Sequence, residues 1–527
     1  MKKILFISSL AVALVVSSCK KADFADSYTD PSKIAVSSVE KQFSGFVNSN
    51  LGYIMPGYWN YFVVQRITNN RYTQSVGWSN AVGQYIPGGG AVTDHWNAYY
   101  NFLAQYKELV KINKALSPTD QADRRIFMIA ATIYFYDYTQ KMVDVHGDIP
   151  WSAAGMLSSN GGNYLASLPK YDKAQDIYTK MLDDLKGFST ELNGLTIPPA
   201  IQTAFDTQDF ILKGSKTHWT RYCNSLRLRM LTRVSGTTDF AKRAAEEIST
   251  MVTTPASFPL VSSNAENVQI NVFSLSTPVK GDGFQSGLED WNGNLASKVM
   301  IDHMVTNRDP RLPALFEPGT AAGTTYIGID QMATSAVTDA LINTNTVAMY
   351  NRSTTSRNFF FPGILINAAE VSFHLAEAHL NAGNLTAAKA AYNKGIEQST
   401  EYYYNIRKLS TNTTSPTLVP YTAAQVTTYQ AAAGINWDLA TTTAARQALI
   451  SNQRWLHYNV IQPFENWAEV RRTDLPALSF WSDAATPTNV APPTRWQYPS
   501  SENVFNTKNY AAVSANDKAT NKIFWDK

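Results

Sequence analysis

Apolar residues recur three and four positions apart over long stretches of this chain, the period of an amphipathic helix. Between 172 and 190, Ala174, Ile177, Tyr178, Met181, Leu182, Leu185 and Phe188 fall on one face. Asp172 and Gln175 stand three apart at its start, the spacing of a capping box. A second helix is predicted over 121–143, with Ile126, Ile129, Ala130 and Ile133 on one side. Further helices are predicted near 96–116, 217–234, 239–252, 294–306 and 443–462. In the last, Leu449, Leu456 and Val460 share a face.

The segment 366–400 is the most informative. Two helical patterns are separated by Gly383-Asn384, a C-terminal glycine followed by an N-cap asparagine. Ala376, Ala378, Ala388 and Ala391 would let the two helices approach closely, with Leu375, Leu380, Tyr392 and Ile396 filling the gaps. This resembles one tetratricopeptide-type hairpin, but no clean repeat runs through the chain. The fold class expected is mainly α: a tetratricopeptide-like helical scaffold with long irregular loop insertions and small β-hairpins. Insertions are placed at about 52–95, 145–170, 254–293, 307–362 and 405–440. Loops of such length usually carry function or meet a partner. A strand is expected at Val268–Val272.

The first residues are of another kind. Lys2 and Lys3 precede an apolar stretch from Ile4 to Val16, then Ser17, Ser18 and Cys19. As a helix, about 13 residues cover about 20 Å, short of the ~30 Å hydrocarbon core of a bilayer. This reads as a secretory signal, and Val16-Ser17-Ser18-Cys19 resembles a bacterial lipobox. Cys19 is the expected site of acylation. The domain reading is 1–18 signal peptide, 19–35 lipid-anchored tether, and 36–527 one helical domain with insertions. The second cysteine, Cys223, sits in a helical pattern and reads as a small buried hydrophobe rather than half of a disulfide.

Composition narrows the partners. Hydrophobic residues reach 44%, enough for a large core, while charged residues are only 17%. Ser, Thr, Asn and Gln carry the polarity, which suits uncharged hydroxyl-rich ligands. The 45 basic and 42 acidic residues nearly balance and form no basic run, so no nucleic-acid partner is expected.

Catalytic signatures are missing. Gly283-Phe284-Gln285-Ser286-Gly287 lacks the spacing of a nucleophile elbow, and Gly88-Gly89-Gly90 lacks the Lys and Ser/Thr of a phosphate loop. His374 and His379 are five apart, so their rings point about 140° apart on a helix, unlike the four-residue spacing of zinc ligands. His374, Glu370 and Glu377 read as polar positions on the hairpin. The acidic-aromatic stretch Gly281–Gly293 lacks a calcium loop's alternation and reads as a turn. No metal, cofactor or enzymatic activity is expected. What stands out is aromatic residues in polar loops: Trp59, Tyr61, Tyr72, Trp78, Tyr85, Trp291, Tyr326, Tyr350 and Trp437. Rings stack on the C–H faces of sugars while Asn, Arg or Asp bond the hydroxyls. Trp78 has Asn80, Asn70 and Arg71 nearby. With no cluster of cations there, binding is expected to vary little with salt.

Several motifs together resemble SusD/RagB-type outer-membrane nutrient-binding lipoproteins. They are His146-Gly147-Asp148-Ile149-Pro150-Trp151-Ser152; Asp309-Pro310-Arg311-Leu312; Leu375-Ala376-Glu377-Ala378 before Gly383; Gln453-Arg454-Trp455 with Glu465 to Arg472; and the closing stretch Pro493 to Tyr510. They run in order over about 19–510. His146 replaces the family's usual aromatic, and Pro463 stands near a usual Gly. The motifs read as structural, with Asp148 capping a turn and Arg471-Arg472 bonding backbone or carboxylates. The resemblance implies a surface-exposed protein held to outer-membrane lipid through Cys19. It would cap a TonB-dependent SusC-like transporter and deliver an oligosaccharide or peptide without cleaving it. The early insertion is the family's common ligand location, which puts Trp78 and Asn80 first as ligand residues, with Arg71 and Trp291 behind. Two other classes stand beside this: a lipid-anchored glycan hydrolase, and an assembly protein whose grooves bind only its partner.

Overall fold

The computed structural model describes residues 37–526. Cys19, the 1–18 signal peptide and the whole 19–35 tether lie outside them. The long helices are α1 (Val39–Ser49), α2 (Gly89–Lys114), α3 (Arg125–His146), α4 (Ala174–Gly194) and α5 (Lys216–Val234). They continue with α6 (Ala241–Thr253), α7 (Ala368–Asn381), α8 (Leu385–Leu409), α9 (Thr443–Tyr458) and α10 (Pro463–Thr473). Sequential helices pack as pairs: α1 on α2, α2 on α3, α4 on α5, α7 on α8, α9 on α10. The scaffold is mainly α, as expected. The helix predicted over 443–462 stops at Tyr458, where Asn459 takes φ 25°, and α10 opens separately at Pro463. Proline is tolerated at that first position, where its missing N–H has no helical partner to lose.

Strands are few and short. Ile149–Pro150 pairs with Tyr171–Asp172, Val268–Ile270 with Gly363–Ile366, and Phe316–Glu317 with Met349–Tyr350, all antiparallel. These ladders join distant stretches rather than forming tight hairpins. They staple the insertions to the helices.

The start of α4 departs from the capping-box expectation. Asp148, from the loop after α3, accepts a hydrogen bond from the Ala174 N–H at 2.8 Å. Asp172 instead accepts from the Trp151 and Ser152 N–H groups at 3.0 and 2.8 Å. The two aspartates exchange turns across the short strand pair, so the cap comes from 26 residues away.

In the α7–α8 hairpin, Gly383 takes φ +75° and the Asn384 side chain accepts from the Ala387 N–H at 3.2 Å, as the sequence suggests. The close contact lies elsewhere than Ala378 and Ala391. Ala376 and Ala388 are fully buried, and a Cβ at Gly395 would sit 2.5 Å from the Phe373 ring. Ala378 is half-buried on the wall of an outer groove.

Two apolar cores account for most buried side chains. One joins α1 to α6 through Phe46, Phe102, Tyr134, Leu182 and Leu226. The other joins the insertions to α8, α9 and α10 through Tyr61, Trp78, Phe284, Tyr350 and Trp467. Cys223 is fully buried in the first core.

Between the helices runs a buried ionic network. Arg229 binds Asp137 at 2.9 Å and Glu370 at 2.5 Å. Arg233 binds Asp144, Glu465 at 2.7 Å and Glu469 at 3.0 Å. Arg454 and Arg472 close it on Glu377 at 2.8 and 2.7 Å, and both bond Glu469. Glu370 and Glu377 are therefore core ion-pair partners, more than polar positions on a hairpin. Arg471 bonds the Thr494 and Asp144 carbonyls, each at 2.7 Å, the backbone role expected of it. Most charges here have direct partners, which burial of ions requires.

Candidate ligand-binding site

A π-helix, Asn60–Arg66, and a helical turn, Asn69–Tyr72, occupy the first insertion. Across from them lie the 290–296 turn and a helix at Ser335–Asn343. Between these elements is a cleft of about 470 Å³. Arg66, Arg71, Trp78, Trp291, Asp339 and Asn343 are among the residues that line it.

The structure brings three of the four expected ligand residues to this cleft and gives them different roles. Trp291 is 87% exposed. Trp78 is 7% exposed, and its indole N–H donates to the Gln84 side-chain oxygen at 2.8 Å. Trp78 is therefore part of the wall, and Trp291 is the ring free to stack. Arg71 lies 5.7 Å from the Trp78 ring centre and forms no ion pair among the described residues. Its donors remain for a ligand. Asn80 does not line the cleft. Its amide nitrogen donates to the Gln331 and Ala333 carbonyls at 3.0 and 2.8 Å, tying the first insertion to the fourth.

The Trp291 turn is held in an uncommon geometry. Trp291 and Asn292 both take left-handed φ, 57° and 55°. Such residues cost on the order of 1 kcal/mol each and persist where neighbours over-determine them. Here Glu289, just before the turn, is gripped by Arg357 at 2.8 and 2.9 Å and by Ser356 at 2.6 Å. Arg66 donates to the Asp290 carbonyl. Gly293 leaves room beside it, since a Cβ there would push on the Arg66 side chain. The result is a rigid mount that points an indole into solvent beside the cleft.

Arg66 also continues the site outward. Its guanidinium lies 3.8 Å from the Phe62 ring centre, and Phe62 stacks on Tyr58 at 5.2 Å. Tyr58 is 41% exposed, so an apolar ridge leads from the cleft to the surface. Burial lowers the pKa of both Arg66 and Arg71, yet both remain cations at neutral pH. The cleft thus holds two guanidinium groups and the Asp339 carboxylate, a correction to the expectation of no clustered cations. Arg66, Asp339 and Asn343 were missed from sequence. The 58–62–66 spacing was the available signal for the first. Asp339 and Asn343 fall one helical turn apart in a stretch read as loop.

A larger groove of about 910 Å³ lies among α6, α7 and α9. Ala241, Ala245, Ala378, Ala382 and Ala444 wall it, and its charged pair Glu377–Arg472 is mutually engaged. Its wall carries no Trp, Tyr or Phe, so the smaller cleft suits a stacked sugar better.

Residues 47–499 match the SusD-like_2 family model, whose description is starch-binding associating with outer membrane. The chain belongs to this SusD-like family. Solved structures of SusD-like proteins share its fold. A chitin-binding protein superposes with a TM-score of 0.72 at 22% identity, covering 92% of this chain and 99% of its own. A chitin-binding SusD homolog from Flavobacterium johnsoniae gives 0.69 at 21% identity, covering 92% and 98%. A SusD homolog from Bacteroides fragilis gives 0.71 at 20% identity, covering 93% and 99%. A search of curated proteins returns no match. No helix of the described residues is long and apolar enough to cross a bilayer.

The SusD-like motifs meet one another inside the protein. Arg311 binds Asp309 at 2.6 Å and the Gln453 side-chain oxygen at 2.7 Å. The Glu377, Arg454, Glu469 and Arg472 side chains form one end of the buried network. His146 packs parallel to Tyr498, 6.1 Å between ring centres, and Tyr498 donates to the Asp148 carbonyl at 2.5 Å. His146 fills the place of the family's aromatic as a flat, fully buried ring. The motifs are structural and none of them lines the cleft.

Proposed function

We propose that this protein is a nutrient-binding lipoprotein that holds an oligosaccharide at the Trp291 cleft and passes it to a TonB-dependent SusC-like transporter. Acylated Cys19 would attach it to outer-membrane lipid, and the ligand would leave uncleaved. The observation that carries the glycan reading is Trp291 itself: an 87% exposed indole on a braced turn, beside unpaired Arg71. An exposed ring presents a flat apolar face to sugar C–H groups at little entropic cost, because the turn already fixes it. Arg71, Arg66 and Asn343 supply donors for hydroxyl or acetamido oxygens, and Asp339 accepts from hydroxyls. Two of the similar structures are named as chitin-binding, so chito-oligosaccharides are the first ligands to test. Calorimetry with a chito-oligosaccharide series and a starch-derived series tests the reading. Saturable binding to one series, with no new reducing ends, supports it. Reducing-end release would favour the hydrolase class. Binding to neither, with binding to peptides, would favour a peptide ligand.

A further inference from the structure

A second exposed apolar surface lies in another part of the fold. After α3 the chain runs through 151–170, and residues 157–159 and 161–166 are all exposed. Leu157 is 47%, Tyr164 53% and Leu165 79% exposed. The short helix Ser500–Phe505 packs beside this loop and adds Val504 and Phe505, 67% and 65% exposed. The loop and helix are fixed to each other. The Tyr164 hydroxyl donates to the Phe505 carbonyl at 3.2 Å, and Asn506 donates to the Pro169 carbonyl at 3.1 Å. Five large apolar side chains thus share one rigid surface with no covering element among the described residues. Singly exposed apolar residues are ordinary; a contiguous group marks an interface.

Lysines surround it. Lys170 and Lys508 are exposed at its edge. Lys107 and Lys111 of α2 reach the loop from behind, bonding the Ser152 carbonyl at 3.0 Å and the Ser158 hydroxyl at 2.7 Å. The acids nearby are engaged: Glu108 by Ser158 at 2.9 Å, Asp172 by Ser152, and Glu502 by Tyr171 at 2.6 Å. Aromatic and aliphatic tips edged by the exposed ammonium groups of Lys170 and Lys508 match a boundary between lipid tails and phosphate headgroups.

We propose that this patch seats the protein on a lipid bilayer, with Leu157, Tyr164, Leu165, Val504 and Phe505 entering the headgroup boundary and Lys170 and Lys508 meeting lipid phosphates. This goes beyond the anchor and rests on the reading that Cys19 tethers the chain to a membrane. The tether supplies proximity; the patch sets which face lies down, leaving the Trp291 cleft on a different element set.

Vesicle co-sedimentation tests the patch apart from the anchor. The chain from Lys20 onward keeps every described residue and carries no acyl group. It is expected to bind vesicles of equimolar phosphatidylethanolamine and phosphatidylglycerol, and more weakly pure phosphatidylcholine. Leu165→Asp with Phe505→Asp should lower partitioning about tenfold or more. Lys170→Glu with Lys508→Glu should lower it on the anionic vesicles and leave phosphatidylcholine unchanged. Both pairs lie on exposed positions, and unchanged thermal midpoints would show that folding is intact; Leu165→Ser with Phe505→Ser serves where the aspartates disturb it. An unacylated chain that stays in solution with anionic vesicles overturns the proposal. So does an apolar variant that binds like the parent, or one that loses a co-purifying protein and keeps its vesicle binding. Fatty-acid labelling of Cys19 decides the anchor independently.

Discussion

The imidazole of His95 lies nearly parallel to that of His146, 6.1 Å between ring centres, and both are fully buried among Trp96, Phe464, Trp496 and Tyr498. Burial pushes the His95 pKa down to about 3 and the His146 pKa well below its usual range. His457, bonded to Ser399 and Asn367 at 2.9 and 2.7 Å, is also held at about 3 by burial. All three are neutral when folded.

A pH dependence follows. Below the usual histidine pKa the unfolded chain binds protons that the folded chain refuses, so stability rises with pH and is lost as pH falls. His95, His146 and His457 together contribute up to about 4 kcal/mol per pH unit between about pH 6 and 4; His374, fully buried with its pKa also lowered, adds to it, and Asp144 and Asp209, whose pKa burial raises, oppose it. Glu377 adds to it lower down. Burial alone would raise Glu377, but Arg472 and Arg454 override it and hold it at about 2. Its contribution is present above the usual glutamate pKa and disappears as pH falls toward 2. Denaturant midpoints from pH 7.5 to 4.5 check this. His146→Phe, which keeps a flat ring, should reduce the slope by about 1.4 kcal/mol per pH unit. An unchanged slope would contradict a buried neutral His146.

The helices were legible because their signal is local. Ile177, Met181 and Leu185 needed only their own spacing to predict α4, and Gly383-Asn384 only its own chemistry. The buried network was not legible. Arg229 and Glu370 are 141 residues apart in sequence, and each alone looks like a surface charge. The same limit separates Trp78 from Trp291. Both sit in polar loops, and only the Gln84 bond and the packing of Gly77 against Leu295, their backbones 2.7 Å apart, bury the first.

The network predicts a large penalty for one missing cation. Arg233→Met leaves Asp144, Glu465 and Glu469 facing a methyl group in the core. Breaking a buried pair this way costs about 3–5 kcal/mol. The exposed pair Lys242–Glu246, 3.9 Å apart, should contribute less than about 0.5 kcal/mol, so Lys242→Met is the control. Equal denaturation midpoints for the two variants would contradict the network's role.

The hairpin predicts a contrast among its alanines. Ala376→Leu and Ala388→Leu place extra methyl groups at fully buried positions and should cost about 1–3 kcal/mol each. Ala378→Leu points at the outer groove and should stay within about 0.5 kcal/mol of the parent. Urea denaturation separates them. A larger loss at Ala378 would return the close contact to that position.

The ligand site separates binding from stability across three positions. Shallow glycan sites bind at micromolar to millimolar levels, about 4–8 kcal/mol. Trp291→Ala should remove most measurable binding and leave stability within about 0.5 kcal/mol, because the ring touches solvent more than protein. Asn80→Ala should do the reverse, since its amide holds two carbonyls and does not reach the cleft. Trp78→Ala should lower both, because it removes a buried wall of the cleft. Salt then reports the ligand's charge. Arg66 and Arg71 outweigh Asp339 by one charge, and Arg66 already donates to the Asp290 carbonyl. A neutral chito-oligosaccharide feels little of that field, so raising salt fivefold should change its affinity less than about twofold. An acidic oligosaccharide pairs with Arg71 and should weaken several-fold over the same range. Calorimetry of the parent and Arg71→Gln at two salt concentrations reads both effects. Full binding by Trp291→Ala would move the stacking site to the Tyr58–Phe62 ridge that leads out of the cleft.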